Sequence, residues 1–127
     1  MYDFFWFSVL IATNGLLLVL LTANVSRLRM KLKAPYGDKR DKDLMKAIRT
    51  HANGTEQVPV FALMILALSL LSSSSTLLAS LVILFTFSRV VHAYGMLATV
   101  PILRQAGAAI TYVVQMVAAI VLLVSCF

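Results

Sequence analysis

A chain of 127 residues with 61% hydrophobic content and a mean hydropathy of +0.92 is too apolar for a soluble domain, whose apolar share is about 45–50%. The net charge of +6 invites a nucleic-acid partner, but nine of the eleven basic residues lie between Arg27 and Arg49, beside apolar runs, so membrane topology accounts for them and no nucleic acid is expected. A single cysteine, Cys126, excludes an intrachain disulfide, and no His, Cys or acid cluster has metal-ligand spacing, so no metal is expected.

Four apolar segments, roughly 4–25, 57–71, 77–99 and 106–127, approach the 20 or so residues that cross a bilayer as a helix. The second reaches that length only by including polar residues upstream of it. Residues 1–127 therefore read as a single integral membrane domain, an all-α four-helix transmembrane bundle with helices at about 4–26, 43–71, 76–97 and 104–125. The first segment has Asp3 and no Lys or Arg before Arg27, so it is expected to stay as a span rather than serve as a cleaved signal. Within it, Asn14 and Gly15 point to a close helix neighbour or an interhelical hydrogen bond. Tyr2, Phe5, Trp6 and Tyr36 read as interface anchors.

The segment from Arg27 to Arg49 is cytoplasmic by its positive charge. Pro35, Gly37 and Asp38 mark a turn in it, and Asp41 or Asp43 caps the second helix. That helix carries Arg49, Asn53 and Glu56 at i, i+4 and i+7, within about 60° of one another on one face. Glu56 lies about 10 Å along the axis from Arg49, and an ionisable group at that depth is a functional-site hypothesis. Pro59 removes the usual partner of the Thr55 carbonyl and predicts a bend beside Glu56. His51 points about 160° away from the Arg49 stripe, toward another helix or another subunit.

Ser72 to Ser75 form a turn, and Pro101 lies in the link between the last two helices. Near the end of the third helix, Arg89 and His92 share a face with Met96. Arg104 opens the fourth, where Ala106, Gly107, Ala108, Ala109 and Thr111 favour close helix contact. Every one of these polar groups falls in the cytoplasmic half, so Arg27, Arg49 to Glu56, Arg89, His92 and Arg104 are expected to converge on one electropositive pocket. One reading pairs Glu56 with Arg89 as an inter-helix ion pair. A second has an anionic ligand balance Arg49, Arg89 and Arg104, which a single acid does not neutralise.

Arg49-x-His51-x-Asn53-x-x-Glu56-x-x-Pro59, followed by Arg89-x-x-His92-Ala93-Tyr94-Gly95 and Arg104, resembles the MAPEG family (membrane-associated proteins in eicosanoid and glutathione metabolism), most of all its small bacterial members. The resemblance covers the whole four-helix chain. It implies a homotrimer in a bacterial inner membrane, with glutathione as co-substrate bound between subunits at the cytoplasmic side. It implies glutathione transferase or peroxidase chemistry on small lipophilic electrophiles that arrive among the membrane lipids. Arg49, Asn53 and Glu56 match glutathione-binding positions on one subunit, His51 and Arg27 match positions that reach across to the neighbour's site, and Arg104 matches the arginine that activates the thiol. Arg89 and His92 belong to the same expected binding set. Gln57 and Met96 stand where many members have Tyr. The family also includes a non-enzymatic lipid-binding member, so a non-catalytic binding protein on the same scaffold is the alternative reading. A small multidrug exporter is a third, against which stands the concentration of basic charge in one loop.

Overall fold

A computed structural model describes residues 4–127, so Tyr2 lies outside the described residues. Four helices follow one another: α1 Phe5–Leu32, α2 Lys42–Leu70, α3 Ser75–Leu97 and α4 Pro101–Val124. All four are long and apolar enough to cross a membrane. The protein is an all-α, four-helix, multi-pass integral membrane bundle.

The helix ends follow local chemistry. α1 continues to Leu32, beyond the end expected near residue 26, because loss of apolarity marks the membrane edge rather than the helix end. Arg29 and Lys31 sit in its last turn, where basic residues oppose the negative end of the helix dipole. Lys33 then turns left-handed at φ 50°, and the Ala34 amide donates back to the Arg29 carbonyl at 2.9 Å. The following loop is held by cations on backbone oxygens: Arg29 Nη1 donates to Ala34 and Gly37, and Lys39 Nζ donates to Leu32. Asp41 is the N-cap of α2, its Oδ1 accepting from the Leu44 amide at 2.8 Å. Ser74 caps α3 in the same way. Pro101 opens α4, a position where its missing N–H and fixed φ cost nothing.

α2 and α3 form the inner pair, and α1 and α4 flank them without touching each other. The main core lies toward the connection at 71–74, one residue short of the turn expected at 72–75 because Ser74 caps α3 and Ser75 opens it, and there Leu10, Phe61, Ile65, Leu68, Leu78, Val82 and Phe85 are buried. Phe61 of α2 stacks on Phe85 of α3 with ring centroids 3.9 Å apart. A smaller cluster of Leu28, Ala34, Leu44 and Ala47 closes the basic end. Between the two clusters runs a polar layer.

Asn14 is fully buried, and its Nδ2 donates to Leu10 O and to Thr86 Oγ1 of α3 at 2.9 Å, the interhelical bond expected of it. Gly15 has open space where a Cβ would sit, so no close neighbour demands it. Gly95 and Gly107 do permit close approach. A Cβ on Gly95 would meet the Arg104 backbone nitrogen, and one on Gly107 would lie 2.5 Å from the His92 backbone nitrogen. α3 and α4 thus touch backbone to backbone.

Candidate functional site

α2 and α4 bring Arg49 and Arg104 to one cavity of about 200 Å³ at the basic end, where Lys46, Gly95, Met96 and Thr99 also line it. Among the described residues, three cations border this space and no carboxylate does. Lys46 is fixed at its rim by two bonds, an ion pair with Asp43 Oδ1 at 2.9 Å and a hydrogen bond to Thr99 Oγ1 at 3.0 Å. Thr99 holds a left-handed backbone at φ 58°, an uncommon state for a β-branched residue. That strained turn places its hydroxyl against Lys46. Composition offered no hint of this role, since Lys46 is one cation among nine in its segment and Thr99 sits in an ordinary-looking link.

Deeper in the bundle, Arg89 is buried at 3% exposure. Its Nη2 donates to Asn53 Oδ1 at 2.6 Å, and its Nη1 reaches Thr111 Oγ1 at 3.5 Å. Thr111 also bonds to Ser88 Oγ at 2.8 Å and donates to the Gly107 carbonyl. The ion pair weighed between Glu56 and Arg89 is not formed. Glu56 is exposed, and among the described residues it has no hydrogen-bond or ion-pair partner. The helical wheel put Asn53 and Glu56 on one face, and the crossing of α2 over α3 selects the amide.

His92 is buried beside this layer, and its Nδ1 lies 3.1 Å from the Arg104 backbone carbonyl. A carbonyl only accepts, so Nδ1 carries a proton. Nε2 has no partner among the described residues. His92 therefore meets Arg104 through the backbone at the opening turn of α4. His51 is half-buried and its Nε2 lies 2.9 Å from Thr22 Oγ1 of α1, on the far side of α2 from Arg49. Arg27 is exposed, with Nη2 donating to Asn24 Oδ1 at 2.8 Å. It lines a second cavity with Lys31 and Lys46, separate from the one that holds Arg49 and Arg104. Gln57, beside Glu56, is tied through its backbone carbonyl to Gln115 Nε2 of α4 at 3.2 Å.

These observations define a class: a polytopic membrane protein with an arginine-lined cavity at one end and a buried guanidinium bonded to an amide behind it. The family model of the MAPEG family matches residues 7–124, and the chain belongs to that family. It is also 30% identical over 82 residues to inner membrane protein YecN of Escherichia coli K12, and equally to YecN of Escherichia coli O6:H1 strain CFT073. Each alignment covers 65% of this chain and 63% of the relative.

Proposed function

We propose that the protein binds glutathione at the basic end of the bundle and transfers it, as a thiolate, to small hydrophobic electrophiles that arrive through the bilayer. The observation that carries this reading is the convergence of Lys46, Arg49 and Arg104 on a cavity that no carboxylate among the described residues lines. Such a space favours a ligand with carboxylates and an ionisable thiol, since hydrogen bonds to charged groups contribute about 1.5–3 kcal/mol each. Membership of the MAPEG family supports glutathione as that ligand. Asn53, Glu56, Arg89 and His92 do not line that cavity in a single chain, and they join the binding set here by their match to the family motif.

The working unit is a homotrimer with shared sites in a bacterial inner membrane. Glu56 supports the shared site: an exposed carboxylate, without a partner among the described residues, on a membrane helix is costly against lipid. A neighbouring subunit or a ligand ammonium offsets that cost. α1 and α4 support it too, as flanks that do not meet within one chain. His51 and Arg27, away from the Arg49 cavity of their own chain, act toward a neighbour.

Arg104 is the thiolate partner. A thiol with a pKa of about 8.5 is only a few per cent ionised at pH 7. Lowering that pKa by two units requires about 2.7 kcal/mol of preferential stabilisation of the anion, within the reach of one guanidinium in a water-poor site. Arg104→Ala should leave glutathione binding largely intact while the bound thiol, followed by thiolate absorbance, titrates about two units higher. An unshifted titration removes Arg104 from the chemistry. Met96 favours the second reading, a binding protein without turnover, because it lines the cavity where many family members offer a tyrosine hydroxyl. In that case glutathione binds and its thiol titrates as it does in water.

A further inference from the structure

The second cavity, of about 470 Å³, opens at the same end between α1 and the start of α2, with Leu97 of α3 behind it. Arg27, Lys31 and Lys46 supply three cations, and Asp43 is its one carboxylate. Asp43 is ion-paired with Lys46 at 2.9 Å and also feels the charge of Lys31, so among the described residues one carboxylate faces three cations. Lys31 makes no hydrogen bond or ion pair among the described residues. The two stand at i and i+4 on α1, where like charges repel. Arg27 is held by Asn24 Oδ1 at 2.8 Å through Nη2, which leaves its other N–H donors aimed by a preset fork.

Position narrows the ligand. The apolar run of α1 ends at Val25 and Ser26, so Arg27 emerges where the acyl region gives way to headgroups. Leu28 and Leu97 give the cavity an apolar side, which a hydrated free anion does not use and a glycerol backbone with its acyl chains does. A guanidinium fork beside an ammonium matches the oxygens of a phosphate, and basic pockets between membrane helices take anionic headgroups. We propose that this cavity binds the phosphodiester headgroup of an anionic phospholipid, with Arg27 and Lys31 as its principal ligands. This site shares Arg27 with the subunit-crossing role given above, whereas Lys31 lines this cavity and not the one that holds Arg49 and Arg104.

The test uses the full chain in an uncharged detergent, with native mass spectra and thermal unfolding recorded in phosphatidylglycerol, phosphatidylcholine or inorganic phosphate. Phosphatidylglycerol should give a retained adduct and a raised midpoint; phosphatidylcholine and phosphate should give neither. Arg27→Gln with Lys31→Gln should weaken the adduct by about tenfold to a hundredfold, the loss expected for charge-assisted bonds. A control with equal charge loss outside the cavity, Lys33→Gln with Lys42→Gln, should not weaken it. Lys31→Gln alone removes no protein hydrogen bond and should weaken the adduct by a smaller factor, which keeps the test open if the double variant folds poorly. Equal weakening by the control means diffuse attraction to the loop and overturns the proposal. Stabilisation by inorganic phosphate alone assigns a free anion and overturns the lipid. Glutathione affinity, measured in parallel, should be unchanged in Lys31→Gln; if it falls while the lipid adduct persists, Lys31 belongs to the glutathione site and the proposal fails.

Discussion

Asn53→Leu removes the amide oxygen that meets the Arg89 guanidinium at 2.6 Å. Arg89 is only 3% exposed, and the contact left to it is Thr111 Oγ1 at 3.5 Å, an oxygen already engaged with Ser88 and Gly107. The loss exceeds the roughly 1.5–3 kcal/mol of a charge-assisted hydrogen bond, because a buried cation left without its partner costs about 3–5 kcal/mol. Arg89→Met takes the charge away and strands only a half-buried amide, at a cost of about 1 kcal/mol. The double variant, Asn53→Leu with Arg89→Met, replaces both partners by apolar groups and should unfold within about 1 kcal/mol of the parent. The cycle thus predicts a coupling of at least about 3 kcal/mol, at or above the upper end for contacting residues. Titration with a denaturing detergent in mixed micelles measures all four proteins. Were Asn53→Leu no worse than Arg89→Met, the guanidinium would have another counter-group and the argument for this pair would fail.

The glycines make opposite predictions in the same assay. Gly15→Ala should stabilise α1 by about 0.5–1 kcal/mol because its Cβ meets open space, whereas Gly95→Ala drives a methyl into the Arg104 backbone and should cost more than 1–3 kcal/mol. Asp41→Ala removes the cap bond to Leu44 and should cost about 1 kcal/mol, seen as faster amide exchange in the first turn of α2; unchanged exchange would deny the cap its role. Thr99→Gly relieves the left-handed backbone but deletes the hydroxyl that holds Lys46. It should raise the unfolding midpoint while it weakens glutathione binding, and a parallel change in both would contradict the separation of those two roles.

Spans and faces were legible from apolar length and the 100° wheel, and so was the polar stripe on α2. Which members of a face meet across the bundle was not. Asn53 and Glu56 differ by one turn on one stripe, and only the crossing of two rods decides that Arg89 takes the amide. The end of α1 escaped for another reason: apolarity reports the membrane, while Leu32 is set by a left-handed cap and by Pro35 beyond it. The partition of the basic residues into two cavities was equally hidden, since it rests on Lys46 being pinned by Asp43 and Thr99. His51, which the wheel turns away from Arg49, meets Thr22, a residue with no distinguishing mark in the sequence.

The Asn53–Arg89 bond also bears on how the chain enters the bilayer. α2 is the least apolar of the four spans and commits Asn53, Glu56 and Pro59 to lipid, while α3 carries a guanidinium with half a helix of apolar residues before it. Either segment, threaded singly, pays the full insertion penalty of its polar groups, about 2.5–3.5 kcal/mol for an arginine at mid-helix. As a hairpin they enter with donor and acceptor already satisfied. The short Leu71–Ser74 connection brings the two helices side by side at once, so this membrane protein's most polar pair of spans is built to be released from the insertion machinery together.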